Sequence, residues 1–192
     1  VTAGYFATLG VKTALGRPLL PEDDATTVAV ISYDLWRSRF NSASDVIGRT
    51  VQLSGRTFSI VGVATEGFKG TGLRSSLSIW VPLTVYAQAA STASTSPLVR
   101  RGSRGYFIVG RLNPGVTVEQ AQANVTAIGA QLAQAYPQSN MGTLAQPDQP
   151  RPMSVVSLDQ AMVGPDVRDA TKRIGTILMA VVGLVLLIAC AN

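Results

Sequence analysis

The sequence predicts an α+β domain that runs into one membrane-spanning helix, and three observations predict it. Residues 174–191 carry neither charge nor proline. Across residues 118–132, apolar side chains return every three or four positions, the period of one buried helix face. Short apolar or alternating runs, bounded by turn residues, have the length of strands. Strands and helices in mixed succession, around one long amphipathic helix, imply an α+β layer.

The elements follow in order. Tyr5 to Leu9 reads as a short helix, followed by Gly10 and a turn at Gly16-Arg17-Pro18. Pro21-Glu22-Asp23-Asp24 is an acidic loop; its carboxylates suit a divalent cation, but the calcium-loop pattern is absent and a solvated turn is the simpler reading. Val28-Ala29-Val30-Ile31 is a continuous apolar run, which suits a strand buried on both faces. Ser32 stands where an N-cap belongs, and Tyr33 to Phe40 follows as a helix with Leu35, Trp36 and Phe40 on one side. Residues 50–53 and 56–63 are strands joined by Ser54-Gly55, a tight hairpin that sets Val51 opposite Phe58. Gly67 to Gly72 is glycine-rich, yet it lacks phosphate-loop spacing and reads as a plain loop. A strand over residues 78–83 ends at Pro82, and residues 88–105 form a flexible Ser/Thr/Ala/Gly loop.

Residues 106–112 are expected as a strand, and Asn113-Pro114-Gly115 as a turn. Thr117-Val118-Glu119-Gln120 fits a capping box, with Gln120 placed to reach back to the Thr117 amide. The helix runs to about Tyr136, with Val118, Ala121, Val125, Ile128 and Leu132 on its apolar face, Gln122 opposite, and Pro137 at its end. A proline-rich stretch then leads to a final strand near residues 153–158.

The closing run, at ~1.5 Å per residue, is about 27 Å long, close to the hydrocarbon core of a bilayer. Its ten Ile, Leu and Val residues favour insertion by a few kcal/mol in sum, and no ionised side chain opposes it. Thr176, Ala180 and Gly183 give it a small-residue face for a neighbouring helix.

Composition excludes several classes of function. Of 192 residues, 46% are hydrophobic and 14% charged, too apolar for disorder. The net charge is +5, but the basic residues are scattered; the one tight group, Arg100, Arg101 and Arg104, lacks interleaved aromatics and reads as a solvated loop, not a nucleic-acid patch. There is no histidine, so Ser-His-Asp catalysis and His-based metal sites are excluded. The single cysteine, Cys190, permits no disulfide within the chain and reads as a buried apolar thiol. The residues point to no catalytic, cofactor-binding or metal site. Val1 begins without a signal peptide and Asn192 follows the apolar run directly, so both ends read as cuts through a longer protein.

Several segments together resemble the periplasmic core domain of MacB-type permeases, in the wider FtsX-like family of ABC transporter membrane subunits. They are VTAGYFATLGVKTALGRPLLPEDD, then VAVISYDLWRSRF with VIGRTVQLSGRTFSIVGVA, then IWVPL, YFIVGRLNPGVTVEQAQANV and RIGTILMAVVGLVLLIACAN, in the family's order. The spelling is most similar to bacterial duplicated orphan permeases. The resemblance implies a porter-like α+β extracytoplasmic domain with a small mixed subdomain, followed by a transmembrane helix. It sets residues 1–165 as that core domain, truncated at its N-terminus, and residues 166–192 as the start of the membrane part. It places the domain outside a bacterial inner membrane, although Lys172 and Arg173 beside the apolar run argue the other way by the positive-inside rule. Implied partners are the lipid bilayer, other permease helices and a cytoplasmic ATP-binding subunit, with room for a homodimer and no nucleic acid.

The expected function is therefore a non-enzymatic, cofactor-free piece of a permease, taking part in export or mechanotransmission driven by ATP hydrolysis on a separate partner. The alternative is a membrane-anchored extracytoplasmic binding or sensor domain without transport. A membrane-tethered hydrolase finds no histidine and no nucleophile elbow.

Overall fold

The computed structural model describes residues 1–71, 77–89, 96, 98–102, 106–142, 147–162, 174–183, 186, 187 and 190. These contain α1 (Tyr5–Leu9), β1 (Thr13–Gly16), a 3-10 turn (Pro21–Asp23), β2 (Val28–Ile31), α2 (Tyr33–Phe40), β3 (Thr50–Leu53) and β4 (Arg56–Ala64). There follow β5 (Ile79–Trp80), α3 (Leu83–Ala89), α4 (Val118–Ala135), α5 (Pro137–Asn140) and α6 (Leu158–Met162). The fold is a mixed α+β one, as the sequence predicts.

The sheet runs β1-β4-β2-β5, with β3 also against β4. β2 and β4 are parallel, which needs the crossover that α2 supplies, and the other pairs are antiparallel. β2 is apolar throughout because it feeds two cores. Ala29 and Ile31 pack with Val51, Phe58, Ile60 and Val63, beneath Leu35, Trp36 and Phe40 of α2. Val30 and Val28 pack on the other side with Phe6, Leu19, Trp80 and Phe68. That second core is aromatic: the Phe68 ring stacks on Trp80 at 5.2 Å, and Phe6 meets Trp80 edge-on at 5.7 Å.

Local signals hold where they were expected. Ser32 Oγ accepts the Leu35 N–H at 3.1 Å, capping α2. Ser54 and Gly55 both take positive φ, 49° and 77°, which a two-residue hairpin needs, and Val51 pairs with Phe58. Trp36 Nε1 donates to the Ala43 carbonyl at 2.9 Å and fixes the chain leaving α2.

Other elements differ from expectation. The segment before Gly16, expected to lead only into a turn, is strand β1. Gly16 stands opposite Gly62 there, and a Cβ on Gly16 would meet the Val61 carbonyl oxygen at 2.2 Å. One on Gly62 would meet the Arg17 carbonyl oxygen at 2.2 Å, so the two backbones touch where no side chain fits. The strand expected over residues 78–83 is only Ile79–Trp80. Pro82 has no N–H to continue the ladder, and α3 starts one residue later. α3 includes Gln88 and Ala89, the first two residues of the expected loop, most of which lies outside the described residues. Residues 106–112 and 153–157 belong to no strand, and Leu158 already opens α6. A strand exists by pairing, and apolar sequence alone does not supply the second edge.

The chain divides into two units, Val1–Gly70 with Ser75–Val155, and Thr71–Arg74 with Val156–Asn192. In the second, residues 174–183 are helical and mostly exposed. Among the described residues, no helix is long and apolar enough to cross a membrane.

Candidate functional surface

The acidic loop is solvated at Pro21, Glu22 and Asp24, as expected, but Asp23 is buried and clamps the fold. Arg17 presents its guanidinium fork to Asp23, Nη1 to Oδ2 at 2.5 Å and Nη2 to Oδ1 at 2.9 Å. The Leu20 N–H donates to Oδ2 at 2.8 Å, and Asp23 is only 4% exposed. The Arg17 hydrogen bond holds the Asp23 carboxyl below the usual carboxylate range, against the opposing effect of burial. Among the described residues, no group of three His, Cys, Asp or Glu is placed to hold a metal ion.

The glycine-rich loop serves packing: Phe68 drops from it into the aromatic core. Arg100 and Arg101 are exposed, as a solvated loop requires, and Arg101 lies over the Tyr136 ring at 3.7 Å from its centroid. Arg104 and the stretch 163–173, with Lys172 and Arg173, lie outside the described residues. Cys190 is exposed, where a buried thiol was expected.

The open surface of the molecule surrounds α4. Thr117 Oγ1 accepts the Gln120 N–H at 3.2 Å and Gln120 Oε1 accepts the Thr117 N–H at 3.0 Å, the capping box read from sequence. Glu119 sits in the first turn, its carboxyl held below the usual range by its own backbone N–H and by Thr117. Just before this helix, Phe107 is 98% and Ile108 93% exposed, and residues 106–112 make no ladder hydrogen bonds among the described residues. Val118 and Ile128 of α4 are exposed as well. A groove of about 450 Å³ opens between Leu98–Arg101, Tyr106 and Leu132. Among the described residues, the backbone groups of the apolar segment 106–112 join no ladder.

The covered side of α4 is the expected one rotated part of a turn: Ala121, Val125 and Leu132 are half-buried, while Val118 and Ile128 are exposed. Its buried residues are Gly129 and Ala133, one position round from Ile128 and Leu132. A Cβ on Gly129 would lie 3.4 Å from Met153 Sδ, so the segment returning from α5 runs along this strip. Gln122, placed by the periodicity on the solvent side, holds that segment. Its Nε2 donates to the Met153 carbonyl at 2.8 Å and its Oε1 accepts the Val155 N–H at 2.7 Å. Sequence reasoning missed this contact because a glutamine beside an apolar stripe looks like any solvated residue. The small residues Gly129 and Ala133 were the available signal, since they mark where another backbone approaches.

Comparison with known proteins assigns the family. The family model for the MacB-like periplasmic core domain matches residues 1–128 of the chain's 192. The macrolide export ATP-binding/permease protein MacB of Hahella chejuensis is 32% identical over 80 residues, 41% of this chain and 12% of that protein. The crystal structure of the periplasmic region of MacB from Actinobacillus actinomycetemcomitans aligns with a TM-score of 0.49 at 17% identity, over 72% of this chain and 56% of that one. The assignment rests on the family model, whose match ends inside α4 and covers the whole sheet: the chain belongs to the MacB-like periplasmic core domain family of ABC transporter permeases.

Proposed function

We propose that this chain is the extracytoplasmic part of a bacterial inner-membrane permease subunit, and that it carries motion for export rather than chemistry of its own. ATP hydrolysis on a separate cytoplasmic ATP-binding subunit drives the membrane helices, and the domain transmits or receives their displacement. The observation that carries this reading is the family match over residues 1–128. The name of the Hahella relative joins ATP-binding and permease functions, and this chain contains no Walker A pattern to supply the first.

In this reading, residues 1–165 are the core domain and residues 166–192 begin the membrane part, with residues 174–191 as its first helix here. The charge-free, proline-free run supports the helix. The bare Phe107 and Ile108 support a further point: other extracytoplasmic polypeptide of the permease covers residues 106–112 and the open side of α4.

Topology tests the reading. In the full-length permease, Cys190 and any other thiols are replaced and Ser44→Cys is introduced, at an exposed loop position after α2. A membrane-impermeant maleimide is expected to label it in spheroplasts with an intact inner membrane. Labelling only after permeabilisation would set the domain in the cytoplasm and end the proposal.

A further inference from the structure

We infer that Gln122 fastens residues 153–155 to α4, so that the two move as one piece and displacement of α4 passes into the chain that leads on to the apolar helix at residues 174–183. The fastening rests on geometry; the transmission rests also on the permease reading above.

The Gln122 amide stands in for one residue of a parallel neighbouring strand. In a parallel ladder, a residue gives its N–H to the carbonyl of one partner and takes the N–H of the partner two residues on. Gln122 does both, to the Met153 carbonyl at 2.8 Å and from the Val155 N–H at 2.7 Å. Thr126 sets the amide plane: its Oγ1 accepts from Gln122 Nε2 at 2.9 Å and donates to the Gln122 carbonyl at 2.8 Å. Turning the amide over would face Nε2 with the Val155 N–H, donor against donor, so the network permits one orientation.

The return segment is attached at two earlier points. Near α5, the Arg151 N–H donates to the Asn140 carbonyl at 2.9 Å, and the Gly142 N–H to the Gln149 carbonyl at 2.9 Å. Midway, Met153 lies against Gly129. Among the described residues, Gln122 gives the last hydrogen bonds to α4 before Val156, where the second unit begins. The contact of Met153 with Gly129 lies about two helical turns away along α4. An apolar contact permits sliding, whereas a paired donor and acceptor fix register, because slippage by one residue opposes like groups.

The test uses the full-length permease with its ATP-binding partner in lipid nanodiscs, followed by hydrogen exchange with and without Mg-ATP. Gln122→Leu removes both hydrogen bonds at similar length; Gln122→Asn keeps an amide too short to reach both groups. Exchange at the Val155 amide is expected to rise about tenfold or more in both variants, with the amides of β2 and β4 unchanged. The ATP-dependent change in exchange beyond residue 156 is expected in the parent and lost in Gln122→Leu. An unaltered Val155 rate would overturn the fastening. A faster Val155 amide with the ATP response intact would overturn the transmission. A parent with no ATP response, while Val155 still accelerates in the variants, would overturn transmission by removing the permease reading beneath it; the unchanged fastening tells that failure from the other two.

Discussion

The segments 28–31 and 106–112 are both apolar enough to read as strands, and their fates are opposite. Val28–Ile31 is the strand between β4 and β5, and its residues feed two cores. Residues 106–112 join no strand among the described residues and leave Phe107 and Ile108 bare, although Arg111 Nη2 donates to the Thr8 carbonyl at 2.8 Å. The same contrast separates α2, whose Leu35, Trp36 and Phe40 cover the sheet, from α4, whose Ile128 is half exposed. Apolar pattern sets what a segment tends to become. A partner within reach decides whether it becomes that: Val28–Ile31 holds its partners, and among the described residues the segment 106–112 joins no strand.

The sharpest way to break this contrast is to place a carboxylate in the sheet and another on α4. Ile60→Asp strands a charge in a core position with no exposure and should cost more than 4 kcal/mol, enough to abolish cooperative melting. Ile128→Asp, at a position 49% exposed, should cost ~0.5 kcal/mol or less in this chain. In the full-length permease the second substitution should become costly as well, if other polypeptide covers α4. Equal melting temperatures for the two variants of the chain would erase the distinction.

A smaller loss comes from Gly62→Ala. The added Cβ meets the Arg17 carbonyl at 2.2 Å, backbone against backbone, and the β1–β4 contact must open. About 1–3 kcal/mol is expected by chemical denaturation, and Gly110→Ala in the segment 106–112, where nothing lies within 4 Å, should cost far less.

Acid should act on the Arg17–Asp23 clamp, whose Asp23 is buried. Asp23 has a folded-state pKa below its unfolded one, so its stabilisation is complete above the unfolded value, near about 4, and is lost as pH falls through the folded value. Melting temperature should therefore drop below about pH 4, and Asp23→Asn should flatten that drop while lowering stability at neutral pH. An unchanged acid limb in the variant would show that the Arg17–Asp23 clamp is not what acid releases.

The smallest effect belongs to the cap of α4. Thr117→Ala removes the acceptor for the Gln120 N–H and should cost about 1 kcal/mol of helix stability. Circular dichroism during melting should show this loss in α4 before any loss in the sheet.

These positions also mark how far the sequence reaches. Ser32, the Ser54-Gly55 hairpin and the Thr117 box were legible because each closes within a few residues. β1 was not, since it is made a strand by β4, far along the chain. The Arg17–Asp23 clamp was hidden for a related reason: a carboxylate in a polar turn looks solvated until the chain folds Arg17 over it. Gln122 and Val125 were ranked by periodicity, which orders residues about a helix but does not say where the covering segment lies. That segment chose the strip of Gly129, where its side chain Met153 comes nearest.

In the proposed permease reading, residues 106–112 become a strand when other polypeptide of the permease pairs with them. Hydrogen exchange at the amides of residues 107–110 tests it most directly, measured in this chain and in the full-length permease. Fast exchange is expected there in the chain, beside slow exchange in β2 and β4, and strong protection of the same amides in the full-length protein. Exchange equally fast in both proteins would contradict it.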